Sequence, residues 1–227
     1  INGQKQIVYI DKTISLQGGY LPPFDSAPDP ETNHTILDAR GNGRVLYVAA
    51  GAGVSINGLR ITRGNPAASS GSQTSQDGGG IYAESAQITL RDNQIYGNVA
   101  ASSSDSFTTA GGWGGGLFAD LSVVTLTNNV IFDNVAAVGS TGAGGGVFLD
   151  RSQYYLAHNE IVSNTAQISG TAAYENGFGG GAAIADSNGR LSHNIIQYNV
   201  ASDQGDSGWG GGILIQEDRY DPALSTI

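Results

Sequence analysis

A glycine triplet recurs five times along the later two-thirds of this chain, and it constrains the fold more than any other feature. The triplets begin at Gly78, Gly114, Gly144, Gly179 and Gly210. Counted from the last glycine of a triplet, asparagine recurs at positions +13 and +18 in four successive repeats. The +13 residues are Asn93, Asn129, Asn159 and Asn194, and the +18 residues are Asn98, Asn134, Asn164 and Asn199. Such constant internal spacing indicates a stack of equivalent structural units.

Apolar residues within each repeat follow a period of two, which is the period of β-strands. They occupy positions +1 and +3, then +8 and +10, then +15, which indicates three short strands in each repeat. Because no long segment has a helical period, the strands must pair with the equivalent strands of the next repeat. The sequence therefore predicts an all-β, right-handed parallel β-helix of about seven coils. We expect residues 1–227 to form a single domain of this kind.

The recurring asparagines suit the corners of such coils. Asparagine tolerates the left-handed backbone conformation that a tight bend requires. Its amide can also both donate to and accept from the asparagine one coil away, at about 4.8 Å. A buried ladder of this kind satisfies polar groups that would be costly to bury alone. We therefore assign the eight asparagines to structural ladders.

Polar connections of unequal length precede the later glycine triplets, at residues 102–113, 137–143, 167–178 and 202–209. Three of them end in an aromatic residue, namely Trp113, Phe178 and Trp209. Because insertions in stacked repeats map to one face, these connections should share one side of the rod. The aromatic rings could stack on sugar rings there. The alternative is that each ring covers exposed backbone at a glycine-rich strand.

Composition restricts the classes of partner and of metal site that are open to this chain. Its formal net charge of −10 argues against binding to nucleic acid or to an anionic membrane. It has no cysteine, so disulfides and thiolate metal sites are excluded. No stretch approaches the roughly 20 apolar residues of a spanning helix, so we expect no membrane insertion by this chain. Since the sequence starts without Met and stops within a polar stretch, we expect a piece of a longer protein.

The repeat resembles that of bacterial extracellular right-handed β-helix proteins. The resemblance lies in the alternation of Gly-Gly-(Gly/Ala)-(Ile/Leu/Val) with Ile-x-x-Asn-(Val/Thr)-Ala across residues 77–215. It is also similar to the Gly-Gly-Ala-Ile and Phe-x-x-Asn motifs of the chlamydial polymorphic outer-membrane proteins. Here isoleucine stands where those proteins commonly have Phe, at Ile95, Ile131, Ile161 and Ile196. The resemblance implies a pectin-lyase-like fold and a secreted or cell-surface location in bacteria.

Acidic residues share one position of the repeat, since Glu84, Asp120 and Asp150 all lie at +4. Such a column could bind Ca²⁺ through oxygen ligands, or it could consist of solvated turn residues. The arginines at Arg91, Arg151 and Arg190 occupy offsets +11, +5 and +9. We therefore expect them not to converge with the acids in one groove.

Two functions are consistent with these patterns. The first is a non-enzymatic extracellular or cell-surface module that spaces, displays or adheres through its loop-bearing face, with glycans or other surface proteins as partners. It needs no cofactor, apart from calcium if the acidic column binds it. The alternative is a carbohydrate-active β-helix, a polysaccharide lyase or glycosidase, whose catalytic coils lie partly outside this piece. A fold of this class serves both purposes and does not decide between them.

Overall fold

The computed structural model describes residues 5–66, 76–102, 111–168, 176–203 and 207–217. Within these ranges the chain forms strands and no α-helix, and therefore no apolar helix long enough to cross a membrane. The strands belong to five parallel sheets, in which each strand pairs with the equivalent strand of the next coil. The longest sheet has seven strands, so the described part of the chain forms seven coils. The predicted parallel β-helix is confirmed.

Three of the sheets correspond to the three apolar runs of each repeat. Sheet 1 contains β1 (Gln6–Ile10), β4 (Arg44–Val48), β7 (Ile81–Glu84), β12 (Leu117–Asp120), β17 (Val147–Asp150), β22 (Ala182–Ala185) and β27 (Ile213–Gln216). Sheet 2 contains β2 (Ile14–Gln17), β5 (Gly53–Asn57), β8 (Gln87–Arg91), β13 (Val123–Thr127), β18 (Gln153–Ala157) and β23 (Asn188–Ser192). Sheet 3 contains β3 (Thr35–Asp38), β6 (Leu59–Thr62), β9 (Gln94–Tyr96), β14 (Val130–Phe132), β19 (Glu160–Val162) and β24 (Ile195–Gln197).

Two shorter sheets add strands beyond the three per coil that the sequence predicts. Sheet 4 contains β10 (Val99–Ser102), β15 (Val135–Val138), β20 (Thr165–Ile168) and β25 (Val200–Ser202). Sheet 5 contains β11 (Gly112–Trp113), β16 (Gly142–Ala143), β21 (Gly177–Phe178) and β26 (Gly208–Trp209). The polar connections thus begin and end in strands that pair from coil to coil.

The register between coils follows the offsets of the repeat. Leu126, for example, pairs with Leu90 in the coil before it and with Leu156 in the coil after it. All three side chains point inward and are fully buried. Residues at one offset therefore form one column along the rod.

The corners of the coils depend on residues in the left-handed conformation, and these are not the ladder asparagines. At the asparagine ladders the left-handed residue directly precedes the ladder position, as Asn128 (φ 55°) precedes Asn129 and Asp133 (φ 53°) precedes Asn134. The expectation that the ladder asparagines themselves take the left-handed conformation was wrong. The residue before makes the bend, and this leaves the next side chain pointing into the coil.

Six of the eight ladder asparagines are buried, Asn194 and Asn199 are half-buried, and all eight are hydrogen-bonded between coils. The Asn129 amide nitrogen donates to the Leu90 carbonyl at 2.8 Å and to Asn159 Oδ1 at 3.0 Å. Its Oδ1 accepts from the backbone and the side-chain amide of Asn93, each at 3.0 Å. The second ladder repeats this pattern through Asn134. One amide thus links three successive coils.

A third ladder, built from serine, lies at the corner between sheets 1 and 2. The hydroxyl of Ser122 accepts from the Ala86 backbone N–H at 3.1 Å, and that of Ser152 accepts from the Ser122 N–H at 3.0 Å. Ser187 continues the series at 2.8 Å to Ser152. The recurrence of serine at position +6 in three repeats was the available signal for this ladder.

One large core side chain is accommodated because the residue paired with it in the next coil is glycine. Tyr154 occupies a column that otherwise holds Ile88 and Val124, and the residue paired with it in the next coil is Gly189. A Cβ at Gly189 would overlap the Tyr154 ring and its carbonyl. The glycine therefore provides the space that the tyrosine occupies.

We expect Asn129→Ala to destabilise the fold strongly. It leaves the buried Asn93 backbone N–H without its acceptor, and each orphaned buried group costs about 1–3 kcal/mol. Urea unfolding followed by circular dichroism gives the free energy of unfolding. Asn128→Gly is the matched control, because glycine tolerates the positive φ of this exposed position. Equal losses for the two variants would contradict the ladder's contribution to stability.

We also expect Gly115→Ala to prevent normal folding. An added Cβ there would overlap the backbone carbonyls of Gly145 and Val135, which cannot move without breaking the register between coils. Gly51→Ala is the control, because nothing lies within 4 Å of a Cβ at that position. That control should lose only the left-handed penalty of about 1–2 kcal/mol. Melting of Gly115→Ala at or above the temperature of the control would disprove the steric argument.

Candidate functional site

A column of stacked aromatic rings runs along the outer face of sheet 1. The rings belong to Tyr9, Tyr47, Tyr82, Phe118 and Phe148, with centroids 5.0–5.6 Å apart. The column stops at the sixth coil, because the residue paired with Phe148 is Ala183. One face of the Phe148 ring is thus left without the stacking partner that the column would otherwise provide.

A second aromatic column lies in sheet 5 and contains the three aromatic residues that the sequence singled out. In register these are Trp113, Ala143, Phe178 and Trp209. Phe178 and Trp209 stack with centroids 4.9 Å apart and planes 7° apart. Trp113 is two coils away from Phe178 and instead tilts against Phe148, at 5.7 Å. The structure therefore brings two of the three rings together and separates the third from them.

A cleft of about 410 Å³ lies where both columns lack a ring. Trp113, Phe148 and Phe178 line it, and Ala143 and Ala183 provide the space. Trp209 lies behind Phe178 and is not among the lining residues. Of the connections predicted to share this side of the rod, residues 103–110, 169–175 and 204–206 lie outside the described residues. The predicted aromatic residues Trp113 and Phe178 thus line the same cavity.

Acidic residues and one arginine form another part of the cleft lining. Asp120 and Asp150 pair in register, and the side chain of Arg151 contacts both. Its Nη2 donates to Asp120 Oδ1 at 2.7 Å, and its Nε donates to Asp150 Oδ2 at 3.2 Å. The carboxylate side chains are 15% and 25% exposed, and the guanidinium side chain is 53% exposed. The expectation that the arginines would not converge with the acids was wrong for Arg151.

The electrostatic balance of this group is uneven. Burial raises the pKa of Asp150, Arg151 opposes that rise, and the neighbouring charge of Asp120 adds to it. Asp186 in the next coil raises the pKa of Asp150 further. A single guanidinium therefore compensates the two carboxylates only in part.

A buried arginine, Arg44, helps to position Asp77, which lines the cleft. Arg44 is 3% exposed, and its guanidinium donates to the carbonyls of Asp77 and Gly78. It also lies over the Tyr82 ring, 4.7 Å from the centroid, and burial lowers its pKa to about 10. Asp77 in turn accepts from the Trp113 backbone N–H at 3.1 Å, which positions the strand that carries the indole.

The three acids considered for calcium lie in one register column but have different partners. Glu84 accepts a hydrogen bond from the Tyr47 hydroxyl at 3.0 Å, whereas Asp120 and Asp150 share Arg151. In the described part of the chain, no group of three metal-ligating side chains could hold a metal ion. Arg151 supplies positive charge where a cation would otherwise be needed.

Two residues that the cleft does not use are His158 and His193, which stack on the outside of the rod. Their ring centroids are 5.0 Å apart, and the Ser192 hydroxyl lies 2.7 Å from His193 Nδ1. Both residues have positive φ and occupy the bend before a ladder asparagine. Their position is therefore that of corner residues.

Sequence reasoning missed Phe148, Ala183 and the contacts of Arg151. Phe148 belongs to an aromatic series at position +2, formed with Tyr82 and Phe118, which was visible in the sequence. Arg151 lies at +5, one position after the acids, and a long side chain spans that difference as well as one coil spacing.

No family model, curated protein or solved structure matches this chain. The interpretation of the cleft rests on its own geometry.

We expect calcium to stabilise an Arg151→Gln variant more than the unaltered protein. Removing the guanidinium leaves two paired carboxylates without a counter-charge, which is the arrangement that oxygen-seeking cations bind. The measurement is the melting temperature with and without millimolar CaCl₂. Arg190→Gln is the control, because it removes an arginine from sheet 2, outside the cleft. A calcium response as large in the unaltered protein would show that the ion competes with Arg151.

Proposed function

We propose that this chain is a non-enzymatic saccharide-binding β-helix module, displayed outside the cell for attachment or spacing. The observation that carries the proposal is the interruption of two aromatic columns at Ala143 and Ala183. The gaps form a cavity beside Trp113, Phe148 and Phe178. A cavity of this volume can hold a sugar ring.

The chemistry of the cleft lining suits a sugar. Pyranose rings present apolar C–H faces to aromatic residues and hydroxyl groups at their edges. Trp113, Phe148 and Phe178 supply the aromatic contacts, and Asp120, Asp150 and Arg151 supply acceptors and donors in the same lining. A few polar groups beside a mainly apolar lining are typical of small-molecule sites.

The location of the cleft supports a binding role on a rigid scaffold. Its walls lie on strands of sheets 1 and 5, which are hydrogen-bonded to the coils on either side. Rigid walls lose little conformational entropy when a ligand binds. A rod that presents a fixed cleft on one side suits display and adhesion.

We expect Trp113→Ala to weaken saccharide binding by about tenfold or more, because it removes one aromatic wall of the cleft. A glycan array followed by titration calorimetry with the best ligand measures the effect. Trp209→Ala is the matched control, because Trp209 stacks behind Phe178 outside the lining. Equal weakening by the two variants would mean that the ligand binds on the exposed side of Trp209.

We expect Ala183→Phe to abolish binding and to stabilise the rod. The introduced ring continues the column on Phe148, and such a ring pair contributes about 0.5–1.5 kcal/mol. Binding and melting temperature are measured on the same sample. Retained affinity in a well-folded Ala183→Phe variant would exclude the cleft as the binding site.

Hydrolysis of a glycosidic bond is the second candidate, and the pairing of Asp120 with Asp150 favours it. Glycosidases use two carboxyl groups, one protonated and one ionised, and burial of Asp150 raises its pKa in the direction an acid requires. Arg151 contacts both groups and favours the ionised form of Asp150. Incubation with neutral glycans should therefore release no reducing ends. Product that disappears in Asp150→Asn would establish the hydrolase instead.

A further inference from the structure

The charge of the cleft restricts the kind of saccharide it can take. Asp120 and Asp150 are shared by one guanidinium, so this group of three side chains keeps one uncompensated negative charge. Arg151 contacts one oxygen of each carboxylate, Asp120 Oδ1 and Asp150 Oδ2. In the described ranges nothing donates to the second oxygen of either carboxylate. Two acceptors in the cleft lining are thus left for a ligand.

The aromatic walls favour the same sign of charge. The face of an aromatic ring attracts a cation and repels an anion, and the effect increases when the site is shielded from water. Trp113, Phe148 and Phe178 line the cavity together with the two carboxylates. A net charge of −10 on the whole chain adds a long-range field that attracts cations and repels anionic polymers.

We infer that the cleft selects saccharides that carry a free, protonated amino group, such as oligomers of 2-amino-2-deoxyhexose. This inference rests on the proposed saccharide-binding function. The ammonium group supplies the missing positive charge and up to three hydrogen-bond donors, while the sugar ring occupies the gap in the aromatic columns. An N-acetylated or neutral sugar of the same ring shape offers neither the charge nor the ammonium donors. A uronate would add the negative charge of its own carboxylate to a site that Asp120 and Asp150 already make negative.

The test compares four probes by titration calorimetry on the unaltered chain, at a pH where the amine is protonated. The probes are the β-1,4-linked glucosamine tetramer, its fully N-acetylated counterpart, the β-1,4-linked glucose tetramer and tetralysine. We expect the glucosamine tetramer to bind about tenfold or more tightly than each of the other three. The preference over the two uncharged sugars should shrink as salt is added.

Two variants assign the preference to the carboxylates. Asp120→Asn with Asp150→Asn should reduce the preference for the glucosamine tetramer over the glucose tetramer to a few-fold, because it removes the negative charge that favours the ammonium group. Asp92→Asn with Asp133→Asn is the matched control, because it also removes two negative charges, at exposed bends outside the cleft. Arg151→Gln should increase the preference, since the competing internal cation is gone.

The outcomes separate the inference from the function on which it rests. Binding of the glucosamine and glucose tetramers with equal affinity, both lost in Ala183→Phe, would overturn the inference and leave the saccharide-binding function intact. Tetralysine binding as tightly as the amino sugar would overturn the inference in favour of a site for cationic peptides. Absence of binding by all three sugars would remove both proposals.

Discussion

Side-chain amides at two corners of four successive coils hold these coils and their neighbours in register. An asparagine amide there bonds to the coil before it and the coil after it, so a shift of one residue would break several buried hydrogen bonds at once. The distance between the two ladders is the same in every repeat, whereas the connections between sheets 4 and 5 differ in length. Variation in the length of the repeat is thus confined to one side of the rod, and the register of the other sheets is unaffected.

Fixed register determines what the surface can do. Because residues at one offset stack at the coil spacing, any side chain type that recurs becomes a column, such as the rings of sheet 1. In a regular column each ring packs on the next, so the rings supply one another's stacking contacts. Binding capacity arises at the breaks, and the cleft exists because Ala143 and Ala183 interrupt two columns in adjacent coils.

The architecture could be predicted because its determinants are local and periodic. Asparagine and leucine at constant offsets define corners and core without any knowledge of long-range contacts, and the register follows from them. The site could be predicted only in part. Trp113 and Phe178 were identified from their position before glycine, but the cleft between them depends on an absence, the small side chain of Ala143. Arg151 was assigned to a separate column because offsets describe where Cα atoms lie and not how far a guanidinium reaches.

Because Tyr154 occupies the space that Gly189 leaves, the number of coils in this rod cannot change freely at this position. Repeat proteins grow and shrink by duplication or loss of whole units, which requires that neighbouring units be interchangeable. Here they are not, because the coil that carries Tyr154 is followed by one with glycine at the paired position, where an added Cβ would overlap the tyrosine. A second copy of that coil placed after the first would set one Tyr154 ring against another inside the rod. The order of these two coils is therefore fixed by the interior, and unequal recombination at this junction should yield chains that do not fold.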